Sequence, residues 1–409
     1  PVVGWLTWPA SGGEPEQPSC GLIQWYDTLG ATGGSFWILL VNVLLFYTIR
    51  TWEAGRKRKD LIKNSSIAAA LIIIPMIISL VKYNSFNEKP IGTVNVLMLQ
   101  PDLDPYAEKY SKDSLTIEQD LLNLAEKNTK GKIDYYIAPE TALPGRGSIS
   151  ETAFEKSIIL NNLKEFLARH PGSVFSTGIS SHKFYTSSKD LPTEAYQINQ
   201  GLWVESFNSA IQVIPNQKVQ VYHKGKLVPG VEIFPYMNYL KPLLGDAMIN
   251  LGGTVASLGS DKERVAFSNP YNKGKIAPII CYESIYGEFV TGYVKKGANL
   301  LTIVTNDSWW GYSQGHKQLL VYAKLRAIET RREIARAANS GTSAHINSRG
   351  DIVDELPYGA KGVLTAKVNL IDKETFYTKS GDFLSRLCLF VIGALLLFIP
   401  GRKYLSRKK

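Results

Sequence analysis

Residues Leu29–Ile49, LGATGGSFWILLVNVLLFYTI, carry no charged side chain. About 20 apolar residues are enough for a helix to cross ~30 Å of hydrocarbon, where every backbone polar group has to be satisfied internally. That run, more than any other feature, limits what the chain can become. Two shorter runs share its character: about Ser65–Val81, SSIAAALIIIPMIISLV, and Phe383–Pro400, FLSRLCLFVIGALLLFIP. We read all three as membrane spans. Buried core helices are the alternative for the two short ones.

The net charge of +10 could signal nucleic acid or a membrane surface. Where the charges sit favours the membrane. Arg50, Arg56, Lys57, Arg58 and Lys59 fill the loop between the first two runs, and GRKYLSRKK follows the third. The positive-inside rule puts both clusters on the cytoplasmic side and the large middle segment on the other. Trp25, Tyr26, Trp52 and Tyr404 stand where interfacial anchors belong. No nucleic-acid partner is expected. The expected organisation is a membrane region over 1–82, an extracytoplasmic domain over 83–382, and a last span with a basic tail over 383–409. The chain begins with Pro1 rather than Met and reads as a fragment of a longer protein.

Cys20, Cys281 and Cys388 are too few and too scattered for a disulfide framework or a metal site, and the five histidines are dispersed. No metal or cofactor is expected. In the middle segment, 91–100, 132–140 and 173–180 read as strands, and the spacing of Leu115, Ile117, Leu121, Leu122 and Leu124 reads as a helix. Segments 206–215 and 219–228 read as a hairpin. Two buried strands follow, over 274–283 and 297–311, then a helix over 316–339 and a final hairpin over 341–356. Such alternation predicts a layered α/β domain.

Three polar residues stand where apolar strands run out: Glu140 after YYIAP, Lys224 in VYHKGKLVPG and Cys281 after APII. Strand ends are where α/β folds gather reactive groups. A thiol near its usual pKa is mostly protonated at neutral pH. A carboxylate can take its proton, and an ammonium can stabilise the oxyanion formed when the sulfur attacks a carbonyl. Backbone N–H groups after the cysteine can supply a second donor. Each residue also has a plain reading: a small core hydrophobe, a loop carboxylate and a solvated turn lysine.

APETALPG, YHKGKLVPGVEIFP and CYESIYGEF resemble the three motif regions of the carbon–nitrogen hydrolase (nitrilase) superfamily. With the membrane flanks, the chain more narrowly resembles its bacterial apolipoprotein N-acyltransferase branch. The resemblance implies an α-β-β-α sandwich flanked by transmembrane helices, several of which would precede Leu29. It implies Glu140 as general base, Lys224 for charge stabilisation and Cys281 as nucleophile. Glu232, Tyr282 and Glu283 would support them. TNDSWWG would be a loop after the nucleophile, with Asn306 and Trp309 shaping the pocket. Tyr110 stands where the family carries a tryptophan, and Gly230-Val231 replace its Phe-Gly. The apolar stretch 233–249, with Tyr236 and Met237, is expected to face lipid; packing on the core is the alternative. The implied reaction moves an acyl chain from a phospholipid, phosphatidylethanolamine, through a Cys281 thioester. The acceptor is the α-amine of a diacylglyceryl apolipoprotein. The enzyme would be a monomer in the bacterial inner membrane, with its catalytic domain on the periplasmic side. Two other readings compete: a membrane-tethered amidase or nitrilase, and a catalytically dead scaffold.

Overall fold

The computed structural model describes residues 20–55, 58–87, 89–104, 112–145, 147–233 and 257–406. Tyr110, Tyr236 and Met237 lie outside the described residues, as does most of the stretch 233–249.

Two helices open the described chain, α1 (Tyr26–Glu53) and α2 (Arg58–Ser85). Both are long and apolar enough to cross a bilayer. The last helix, Phe383–Ser406, has a shorter apolar stretch, Phe383–Ile399. Leu39, Phe46, Val81, Phe390 and Leu397 all point outward. An exposed apolar band of this kind is costly in water and ordinary in lipid.

Pro75 sits inside α2 and has no N–H to give the carbonyl four residues back. That carbonyl belongs to Leu71, and the indole Nε1 of Trp37 donates to it from α1 at 2.6 Å. The carbonyl freed by the proline of one helix is thereby satisfied by its neighbour. Trp37→Phe is expected to weaken the α1–α2 pairing by about 1 kcal/mol. A lower unfolding midpoint in detergent would show it; an unchanged midpoint would mean that the bond carries no stability.

Between these helices and the last one lies the sandwich. The first sheet contains β1 (Gly92–Gln100), β2 (Tyr135–Ile137), β3 (Ile149–Ser150), β4 (Val174–Tyr185), β5 (Tyr196–Asn199), β6 (Leu202–Val213) and β7 (Gln220–His223). The second contains β8 (Phe267–Ser268), β9 (Lys275–Ile280), β10 (Leu300–Thr305), β11 (Ile334–Ala338), β12 (Ser343–Ile346) and β13 (Ile352–Leu356). The chain then returns to the first sheet as β14 (Gly362–Leu370), antiparallel beside β1. Strands β1, β2 and β4 run parallel, as do β9, β10 and β11.

Side chains alternate across each strand. In β1, Val94, Val96 and Met98 belong to one apolar cluster with residues of the second sheet such as Ile279 and Ile303. Leu97 and Leu99 face the opposite way, onto α3 (Ser114–Asn128) and the helix Ile158–Arg169. Helices Gly287–Lys295 and Gln314–Thr330 cover the second sheet. The layers are therefore α-β-β-α, as the resemblance implied.

The helix expected over 316–339 divides in two. It stops at Thr330, Arg331 turns left-handed (φ 52°), and Ile334–Ala338 becomes β11. The alanine-rich sequence IARAA favours helix by propensity. Pairing in register with β10, from Leu301↔Ile334 to Thr305↔Ala338, overrides it. The buried side chains of Arg331 and Arg332 fix the break. Arg331 binds Asp27 (2.8 Å) and the Gln24 carbonyl, while Arg332 binds the carbonyls of Ala298, Thr330 and Lys373.

Candidate active site

Both sheets deliver polar residues to one end of the sandwich. Glu140 follows β2, and the backbone of Thr141 beside it is left-handed (φ 46°). Strand β4 passes so close that a Cβ on Gly178 would lie 2.6 Å from the Glu140 Cα and 2.4 Å from the Thr141 nitrogen. Only glycine fits there. Hairpin β6–β7, in register from Ser209↔His223 to Gln212↔Gln220, presents Lys224 directly after β7. Strand β9 ends at Ile280, and Cys281 opens a 3-10 turn, Cys281–Ile285, with φ of 47°. A left-handed non-glycine costs about 1–3 kcal/mol and tends to mark function.

Lys224 is 1% exposed, and its ammonium donates to Glu140 Oε1 at 3.1 Å and Glu232 Oε1 at 2.9 Å. Burial alone would lower its pKa, but the two carboxylates outweigh burial and raise it. The amide of Asn208 donates to the same two oxygens, at 2.7 Å and 2.8 Å. The second oxygen of Glu140 accepts from the Asn306 backbone N–H at 3.0 Å, and that of Glu232 from Val228 N–H at 2.8 Å. The Cys281 thiol is pushed up in pKa, first by burial and then by Glu140, against the pull of Lys224. Its resting form is therefore the neutral thiol, and a nearby base is needed to make it a nucleophile.

Glu283 is fully buried, and burial pushes its pKa up. Four donors oppose that shift. Ile280 N–H (2.8 Å) and Tyr293 OH (2.9 Å) reach Oε2; Tyr222 OH and Gly225 N–H, both at 2.6 Å, reach Oε1. Glu283 thus ties the residue before Cys281 to the residue after Lys224. Glu283→Gln puts an amide NH2 against one of those two backbone N–H groups, whichever way it turns. An orphaned buried donor costs about 1–3 kcal/mol. A fall in stability of that size is expected by denaturant titration; an unchanged stability would show that the staple is dispensable.

Tyr282 turns to Tyr286, edge-on at 5.4 Å. Asn306 meets Glu140 through its backbone, while its side-chain oxygen accepts from Ser308 and Asn339. Trp309 is 49% exposed on the turn Asp307–Trp310. Sequence reasoning missed Asn208, Gly178 and the tyrosines around Glu283. Asn208 sits in the strand SFNSAIQV without a motif to mark it, and its role depends on two carboxylates brought in from elsewhere.

The Carbon-nitrogen hydrolase family profile matches residues 103–375. The chain is 30% identical to an apolipoprotein N-acyltransferase of Chlorobaculum tepidum, over 98% of this chain and 73% of that one. It is 26% identical to one from Geobacter metallireducens, over 93% of this chain and 67% of that one. With apolipoprotein N-acyltransferase 1 of Treponema denticola it shares 29% identity and spans only 58% of that relative's length. Among solved structures, an amidase from Nesterenkonia sp. aligns with a TM-score of 0.47 at 15% identity, over 72% of this chain and 95% of that one. The chain belongs to the carbon–nitrogen hydrolase superfamily and, within it, to the apolipoprotein N-acyltransferases.

Proposed function

We propose that this chain transfers an acyl chain from a membrane phospholipid to the α-amine of a diacylglyceryl apolipoprotein, through a thioester on Cys281. The observation that carries the reading is the buried Lys224, held between Glu140 and Glu232, acting with Glu140 on the thiol of a strained strand end. Glu140 takes the thiol proton as sulfur attacks the ester carbonyl. The ammonium of Lys224 and the backbone N–H after Cys281 face the oxyanion. Collapse expels the glycerol oxygen, which takes the proton from Glu140 and leaves as lysophospholipid. The acceptor amine then attacks the thioester and gives a proton to Glu140, and the cysteine sulfur leaves and takes that proton back to become the thiol again.

Both substrates are lipid-anchored, which gives the flanking apolar helices a purpose. They hold the domain at the outer face of the bacterial inner membrane, with the basic loop 50–60 and the tail inside. Tyr110, Tyr236, Met237 and Trp309 remain candidates for substrate contact.

Intact mass spectrometry after incubation with phosphatidylethanolamine tests the reading. The expected result is a gain of one acyl chain, labile to neutral hydroxylamine and absent in Cys281→Ala. Failure to form the adduct, together with hydrolysis of a small amide, would overturn it in favour of a tethered amidase.

A further inference from the structure

Three residues past Cys281, the turn that carries it is gripped from the membrane side. Arg326 and Glu329 lie one turn apart on the helix Gln314–Thr330, 1% and 0% exposed, and pair at 2.9 Å. The Arg326 guanidinium donates to the carbonyls of Ile285 (3.0 Å) and Ser284 (3.4 Å). Glu329 Oε1 accepts the Ala31 N–H at 2.8 Å. Ala31 follows a break at Gly30 (φ 64°), where α1 resumes toward its apolar stretch. The break is packed against Tyr377, whose ring would overlap any Cβ at Gly30. Tyr377 and Thr32 both donate to Asp382, just before the last helix. Arg386 of that helix pairs with Glu288 at 2.6 Å. The last apolar helix therefore attaches to Glu288 directly, and the first reaches the carbonyls of Ser284 and Ile285 through Glu329 and Arg326.

We propose that Arg326 and Glu329 are positioning residues that couple the seating of the first membrane helix to the orientation of Cys281. The pair binds the turn's carbonyls at one end and a membrane-helix N–H at the other. Both side chains of the pair are buried, so breaking either contact leaves a charged group short of a partner. A shift of α1 pulls on Glu329, then on Arg326, then on the peptide groups of the turn that holds the thiol and its neighbouring N–H donors. The inference rests on Cys281 being the nucleophile, but not on the identity of its acyl donor.

Ala31→Pro tests it from the membrane side. Proline at the first turn of a helix is tolerated, and it deletes the backbone N–H that Ala31 donates to Glu329 while leaving the Arg326 guanidinium bond in place. The readout is the rate of Cys281 alkylation by iodoacetamide in the full chain in detergent, per folded molecule, which needs no acyl donor. A slowing of about tenfold is expected, together with a fall in the acylation kcat at unchanged KM for phosphatidylethanolamine. Glu329→Gln, whose amide oxygen still accepts from Ala31 but no longer pairs with a charge, is the second variant and should slow alkylation likewise. A merely structural role would lower stability and leave alkylation of the folded fraction alone. Folded variants that alkylate within twofold of the parent would overturn the coupling. Normal alkylation with no acyl adduct in the parent itself would instead count against the acyl-transfer reading.

Discussion

Lys224→Met is expected to cost about 3–5 kcal/mol of stability and to abolish acylation of Cys281, although methionine nearly matches the length of the lysine stem. Lys224 is the cation between two buried carboxylates, with Glu140 and Glu232 at 3.1 Å and 2.9 Å. Without it, both oxygens converge on one Asn208 amide, and like charges that close do not both stay ionised. One glutamate takes up a proton, and if Glu140 is the one, the base is lost along with the oxyanion partner. The sign with pH follows from the raised lysine pKa. Its contribution is complete across the neutral range and disappears only above the ordinary lysine value of about 10.4. Lys224 therefore gives the parent no slope from pH 6 to 9. The glutamate that takes up a proton in the variant binds it only in the folded state, so the gap between parent and variant should widen with pH, by up to about 1.4 kcal/mol per unit while that proton is held. Denaturant titrations at several pH values check this. A gap that closes within that window would show that Lys224 is not held as a cation.

Much of this was open to sequence reasoning, for physical reasons that differ from one residue to the next. The apolar runs and the strand alternation in 91–100 follow from solvent alone, and the layers follow from those. Cys281, Lys224 and Glu140 stand out as candidates because each ends an apolar run, but the pattern alone leaves each a plain structural reading, and the resemblance of the three motifs is what groups them. Residues 334–338 are not, because alanine and arginine favour helix locally and only the ladder with β10 makes them a strand. Asn208 and the Arg326–Glu329 pair are closed to sequence as well. A polar residue in a strand, or an Arg and Glu three apart on a helix, looks like surface until the fold brings its partners.

The two glutamates on Lys224 present that limit most sharply, because each binds the same ammonium and the same amide. Their second oxygens separate them. Glu232 accepts from Val228, four residues back in its own loop. Glu140 accepts from Asn306, just after β10, which pairs with β9, the strand that leads into Cys281. After burial, the charge of Glu140 is the main influence that raises the Cys281 pKa. On these grounds we propose Glu140 as the proton acceptor and Glu232 as the residue that holds the lysine. Glu140→Gln should lower the rate of Cys281 acylation by about 10²–10⁴-fold, the usual contribution of a general base. Glu232→Gln keeps an acceptor for Lys224 or for Val228 and should lose less, with the deficit shared between rate and stability. Single-turnover acylation followed by mass spectrometry separates them. A larger rate loss in Glu232→Gln, with both variants folded, would move the base to Glu232 and leave Glu140 as the support.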